Sequence, residues 1–154
     1  MVNRPKSIGT AAETAVVRYL REHGFPHAER RALAGSYDLG DVTGCPGLVV
    51  EVKGGAKAKN ASDGLVHAWL METETERVNA HADIGLLVLQ RAGIGPTNAG
   101  RWWAVTSHSF FTDNPTPPTG YPVWLYLQHA VLLLRAAGYG EEPAVVEIPG
   151  GDAA

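Results

Sequence analysis

The sequence predicts an α/β fold, a mixed β-sheet flanked by helices. Three observations predict it. An amphipathic segment opens the chain; two short β-rich runs meet at Gly44-Cys45-Pro46-Gly47; and a continuous apolar run, IGLLVLQ, follows a second helical segment. A chain of 154 residues can build one real core, and its 45% hydrophobic and 19% charged composition is that of an ordinary globular protein. One domain is expected over residues 1–148, with 149–154 as a disordered tail.

The elements follow in order. Ser7 can cap a first helix over 7–23, which Gly24 would stop. Residues 27–33 suit a strand, 34–36 (Ala-Gly-Ser) a turn, and 37–43 and 48–53 two strands forming a hairpin. Pro46 followed by Gly47 favours a type II turn, because Pro fixes φ and Gly accepts a positive one. Residues 54–60 read as a small basic loop. A second helix is predicted over 63–81 with Leu65, Ala68, Trp69 and Val78 on its buried side. The run 84–90 is an apolar strand of central type. A glycine-rich loop, 92–100, leads to a strand over 101–106. Residues 113–122 form an exposed Pro/Thr-rich connection, and a last helix is expected over 123–137. Helix, three strands, helix, two strands, helix is the pattern of an α/β sandwich with an early antiparallel hairpin.

Composition narrows the function classes. A single cysteine, Cys45, excludes a disulfide framework and disfavours a structural zinc site. The six histidines show no HxH or HExxH spacing, and 93–100 lacks the Lys-Ser/Thr of a phosphate-binding loop. No apolar run is long enough for a bilayer, and the N-terminal MVNRPKSIG lacks the core of a secretory signal, so a cytoplasmic protein is expected. The net charge is −3, but residues 1–60 hold nine Lys/Arg against six Asp/Glu, leaving four against ten for the rest. A basic half carrying a few acids suits phosphate binding with help from a metal.

The hairpin carries the chemistry. Period-two alternation places Leu48, Val50 and Val52 on one face and Val49, Glu51 and Lys53 on the other. If the hairpin folds Asp41 back towards Glu51, two carboxylates share a face with a lysine. Such acids raise each other's pKa unless a cation lies between them, and hard oxygen ligands suit Mg²⁺. Lys53 then has a use, in serving the attacking water or stabilising charge on a phosphate. In the first helix, Glu13 interrupts the apolar stripe of Gly9, Val16, Val17 and Leu20, a costly place for an acid without a partner. Arg18 and Arg21 flank that stripe, where they can meet DNA phosphates.

The loop decides which aspartate faces Glu51. A two-residue Pro46-Gly47 turn would send Asp41 to the core and bring Asp38 onto Glu51's face. A longer or bulged loop, for which 44–47 supplies the glycine, brings Asp41 there instead, and this is the register expected.

Taken together, Glu13, Gly40-Asp41-Val42 and Glu51-Val52-Lys53 resemble the PD-(D/E)xK nuclease superfamily. More narrowly, Asp38, Gly40, Asp41, Val42, Gly44, Pro46, Gly47, Glu51, Val52 and Lys53 stand in the pattern D-x-G-D-[IV]-x-G-x-P-G-x-x-x-E-V-K. That pattern is similar to phage and actinobacterial Holliday junction resolvase-like endonucleases. Trp69, Glu72, Glu76, 82–85 and 102–105 also fit, so the resemblance spans roughly residues 6–106. The chain departs from the superfamily in having Gly40 where a proline usually precedes the aspartate.

The resemblance implies a restriction-endonuclease-like core, αβββαβ, and a Mg²⁺-dependent DNA endonuclease (Mn²⁺ substituting) acting on branched DNA in recombination and repair. It would work in the cytoplasm of a bacterium or phage-infected host. Asp41, Glu51 and the Val52 carbonyl would hold the metal, Glu13 would complete the acid cluster, and Lys53 would serve the water. Arg18, Arg21, Arg30, Arg31, Lys57 and Lys59 would bind DNA. A homodimer is expected, because two symmetric incisions need two identical sites. The alternatives are a duplex-cutting repair or restriction-type nuclease and a binding module of the same fold that has lost cutting.

Overall fold

The computed structural model describes residues 4–31, 40–112 and 121–142, together with Gly150. Helix α1 (Arg4–Glu22) opens the chain and closes where the Phe25 N–H reaches back to the Leu20 carbonyl at 2.9 Å. Strands β1 (Glu29–Arg30), β2 (Val42–Thr43) and β3 (Leu48–Lys53) follow. Two helices, α2 (Gly55–Lys59) and α3 (Asp63–Asn79), then carry the chain to β4 (Ile84–Leu89). A 3₁₀ turn over Pro96–Arg101 precedes β5 (Trp103–Ser107), and β6 (Pro122–Tyr126) runs directly into α4 (Leu127–Ala136). Of the expected features, Asp38, the turn at 34–36, most of the connection at 113–122 and, Gly150 aside, the tail at 149–154 lie outside the described residues.

The six strands form one mixed sheet in the order β1-β2-β3-β4-β5-β6. Among the described residues only β3 and β4 run parallel. A parallel neighbour cannot be reached through a tight turn, so the chain must cross over, and α2 with α3 makes that crossing.

Helices cover both faces. On one side Ala12, Val16 and Leu20 of α1 and Leu127, Val131 and Leu134 of α4 bury into one cluster with Val42, Val50, Val52, Leu86 and Val88. Trp102 lies fully buried in this layer and its indole N–H donates to the Ile94 carbonyl at 2.9 Å, so the polar end of the ring is satisfied. On the other side Val66, Trp69 and Leu70 of α3 cover Leu87, Leu89 and Val105. No helix among the described residues is long and apolar enough to cross a membrane.

Three expectations need correction. Residues 123–126 are not helical: Pro122–Tyr126 is a strand paired antiparallel to β5, and the helix begins only at Leu127. The apolar run is continuous across this junction, so periodicity alone does not mark where pairing with β5 ends. Residues 55–59 form a short helix rather than a loop. Helix α3 is rotated from the expected phase. Val66, Trp69, Leu70, Thr73 and Glu76 are its buried residues, whereas Ala68 is exposed and Val78 is 60% exposed. Its inward stripe includes a threonine and a glutamate, which a count of apolar positions misplaces.

Candidate active site

The site is built on the β2–β3 hairpin. Val42 pairs with Val50 and the Asp41 N–H donates to the Val50 carbonyl at 3.0 Å, which brings Asp41 beside Glu51 and leaves Cys45, Pro46 and Gly47 as the connection. The Leu48 N–H donates to the Cys45 carbonyl at 3.1 Å and Gly47 takes φ +82°, the pattern of a type II turn around Pro46-Gly47. Gly44, at φ +83°, absorbs the one extra residue. A side chain there would collide with the His27 backbone, so the bulge requires glycine. The tight turn and the longer register therefore coexist.

This register carries both acids to the α3 side of the sheet. Glu51 is only 7% exposed, and its Oε1 lies 3.3 Å from the Lys53 ammonium. Asp41 is half-buried, hydrogen-bonded to Glu51, and its Oδ2 accepts the Val52 N–H at 2.8 Å. Burial, first, and then the Glu51 charge push the Asp41 carboxyl up to about 7; the Val52 N–H and Lys53 oppose the shift. Asp41 thus exchanges its proton near neutrality.

Strand geometry also aims the backbone. The Lys53 carbonyl accepts from Gln90 of the β4 side, so alternation along β3 turns the peptide groups of Val52 towards the Asp41 side. Two carboxylates and a carbonyl in one place are an all-oxygen donor set, which suits a small hard cation such as Mg²⁺. Gly40, before Asp41, has φ +93°, which a proline near −65° cannot adopt. A Cβ there would stand 2.9 Å from Val49 Cγ1 and 3.1 Å from the Val50 carbonyl oxygen. Glycine at this position is thus a requirement of this hairpin.

Glu13 is placed elsewhere. Its Oε2 accepts from Arg30 Nε at 2.9 Å, and Arg30 also reaches the Thr10 hydroxyl at 3.3 Å. Arg30 stands opposite Val42, on the α1 side of the sheet. The acid in the apolar stripe is answered by an ion pair, and among the described residues no group of three or more His, Cys, Asp or Glu side chains gathers for a metal. Glu13 thus pairs with Arg30, while Asp41 and Glu51 stand together at the hairpin.

The expected DNA-binding cations divide. Arg21 donates to the Ala28 carbonyl at 2.6 Å and ties α1 to the following loop. Arg30 is spoken for by Glu13, and Arg31 is half-buried beside the hairpin turn. Arg18, Lys57 and Lys59 remain exposed. Lys57 lies 6.0 Å from the centre of the Trp69 ring and Lys53 5.6 Å from it. Trp69 therefore gathers two ammonium groups beside Glu51, a role its position in a helical stripe did not announce. Glu76 is buried on α3, while Glu72 is exposed and Glu74 pairs with Arg77 at 2.9 Å.

No family model, curated protein or solved structure matches this chain. What the site can do must come from its own chemistry. A half-buried and a buried acid, a lysine on the same face and further cations around a tryptophan suit binding a phosphodiester next to a cation.

Proposed function

We propose that this protein is a Mg²⁺-dependent DNA endonuclease with a restriction-endonuclease-like core, acting on branched DNA as a Holliday junction resolvase. The observation that carries this reading is the Asp41–Glu51 pair, hydrogen-bonded on one face of the hairpin with Lys53 3.3 Å from Glu51. Two carboxyls brought together away from water, one of them nearly buried, are a costly arrangement for structure alone.

Asp41, Glu51 and the Val52 carbonyl would hold the metal; Mn²⁺ would serve in its place. What the ion supplies when bound is positive charge against the phosphate and a lower pKa for water. Lys53 positions the attacking water and offsets the charge that builds on the phosphate oxygens. The Trp69 ring and Glu51 Oε1 hold the ammonium in place for that task. Lys57, Lys59 and Arg18 supply sequence-independent contacts to the backbone of the nucleic acid. A homodimer fits paired incisions across a junction, and Leu132 and Leu133 of α4, 66% and 40% exposed, offer apolar surface for it. The cytoplasm is where such a substrate is met.

The test is a cleavage assay on end-labelled four-way junction, flap, duplex and single-stranded DNA, with Mg²⁺ or with EDTA. Metal-dependent, paired nicks in the junction are expected. Absence of cleavage on all four substrates overturns the reading.

A further inference from the structure

The sheet face that carries Asp41 and Glu51 continues into an aromatic cluster. Lys53 stands beside Leu89, Leu89 beside Trp103, and Trp103 beside Tyr126, one row across four strands. Trp103 and Trp124 meet edge to face, their centroids 5.7 Å apart and their planes at 82°. They form a right-angled corner whose outer wall, Trp124, is 37% exposed. The Arg91 guanidinium lies 4.3 Å from the Trp103 ring and 5.0 Å from the Tyr126 ring, and is fixed by its Nη1 donating to the Arg101 carbonyl at 2.8 Å.

The corner opens into a cavity of about 290 Å³, rimmed by Lys59, Gln90 and Arg91. Among the described residues its lining has two cations and no carboxylate, although acids outnumber bases in the chain. Two flat apolar walls at a right angle, with cations at the rim, match a flat ring joined to an anion. Gln90 adds an amide at the rim. A base inside a duplex has both faces covered by its neighbours, so only an unstacked base can enter.

We propose that this corner seats an unpaired nucleobase of the strand being cut, so that the preferred DNA has single-stranded character beside the scissile phosphate. Lys53 and Trp103 are two strands apart, roughly 10 Å at the usual strand spacing. That is the length of about three stacked nucleotides. The proposal rests on the nuclease reading and names the feature of its substrate.

The experiment separates the two. A fluorescent thymidine oligonucleotide and a duplex of equal length are titrated into the full-length protein without divalent metal, over a range of salt. Trp124→Ala is expected to weaken single-strand binding on the order of tenfold while leaving the salt dependence unchanged. Duplex binding should stay within about twofold, since no base leaves the stack. Trp124→Phe should restore most of the loss, and Lys59→Ala should lower the salt slope by about one; these two variants guard against a folding defect. Unchanged single-strand affinity in Trp124→Ala, or an equal loss on duplex, overturns the proposal. So does a dimer that dissociates in Trp124→Ala with DNA affinity intact, because the corner would then be a contact between copies. If the binding pattern holds but the wild type cuts no DNA, the base seat stands and the nuclease reading falls. If junctions are cut but Trp124 is indifferent to single strands, only the base seat falls.

Discussion

Val42 stands opposite Val50 across the β2–β3 hairpin, and this pairing brings Asp41 onto the side of the sheet that Glu51 and Lys53 occupy. Had the strands slipped by one residue, Asp41 would face α1 and the acid pair would not exist.

Replacing Glu51 with Gln or Lys53 with Ala should lower Mg²⁺-dependent cleavage on the order of a thousandfold. Glu51→Gln keeps the shape of a nearly buried side chain, so its circular dichroism should match the wild type. Junction binding should survive in both variants, as a gel-shift assay would show. Cleavage within tenfold of wild type in either would remove the site from the reaction.

Stability should depend on pH through Asp41. Its carboxyl ordinarily titrates near 3.8 and is pushed to about 7 in the fold. An acid with a raised pKa stabilises the fold fully below its unfolded value, and that contribution is lost as pH rises through the folded one. Asp41→Asn removes this titration while keeping an oxygen for the Val52 N–H. Between acid pH and pH 8, the Tm of Asp41→Asn relative to wild type should rise by on the order of a few degrees. A difference that stays flat across this range would show that Asp41 is ionised throughout.

Metal should act on the same pair without any DNA present. Above pH 7 Asp41 is charged beside Glu51, so a bound cation stabilises the fold by mass action. Millimolar Mg²⁺ should therefore raise Tm more at pH 8 than at pH 5.5, where a proton must first leave. The shift should vanish in Asp41→Asn and Glu51→Gln. Equal shifts in wild type and both variants would mean that the ion binds elsewhere.

Gly40→Ala should cost about 1–3 kcal/mol, because a side chain at φ +93° is strained and also meets Val49 and the Val50 carbonyl. Gly40→Pro, whose ring holds φ near −65°, should be worse than Ala. Urea denaturation measures both, and a Pro variant as stable as wild type would refute the conformation assigned to this hairpin.

Glu13→Gln tests whether the acid belongs to the reaction or to the fold. It loses its charge partner Arg30 in a partly exposed pair, worth about 1 kcal/mol or less. Cleavage by the variant should stay within tenfold of wild type. A thousandfold loss at unchanged stability would return Glu13 to the chemistry.

Residues 48–53 and the apolar strand after α3 were read from sequence because alternation in one and continuity in the other are local patterns. The hairpin register could be reasoned from the glycines between the strands, since the turn decides which aspartate shares a face with Glu51. Beyond that reach lay contacts made between distant segments. Nothing near Glu13 announces Arg30, seventeen residues away, as its ion-pair partner. Strand β6 hides because its apolar residues run straight into those of α4, and only pairing with β5 separates them. Lys53, Lys57 and Trp69 meet because the crossover brings α2 and α3 over the end of β3, and no local spacing encodes that meeting.

The bulge at Gly44 makes loop length a matter of parity. Losing or gaining one residue between Thr43 and Leu48 would not merely shorten or lengthen a turn; it would exchange the two faces of β2 as a unit. Val42 would move out of the layer beneath α1 and Asp41 would move into it, a polar-for-apolar trade on both sides at once. Side-chain substitutions along this segment can be graded in their effect, but a change of one in its length is all or nothing. Related chains that retain this chemistry should therefore vary here in residue type, or in length by twos, and not by single insertions or deletions.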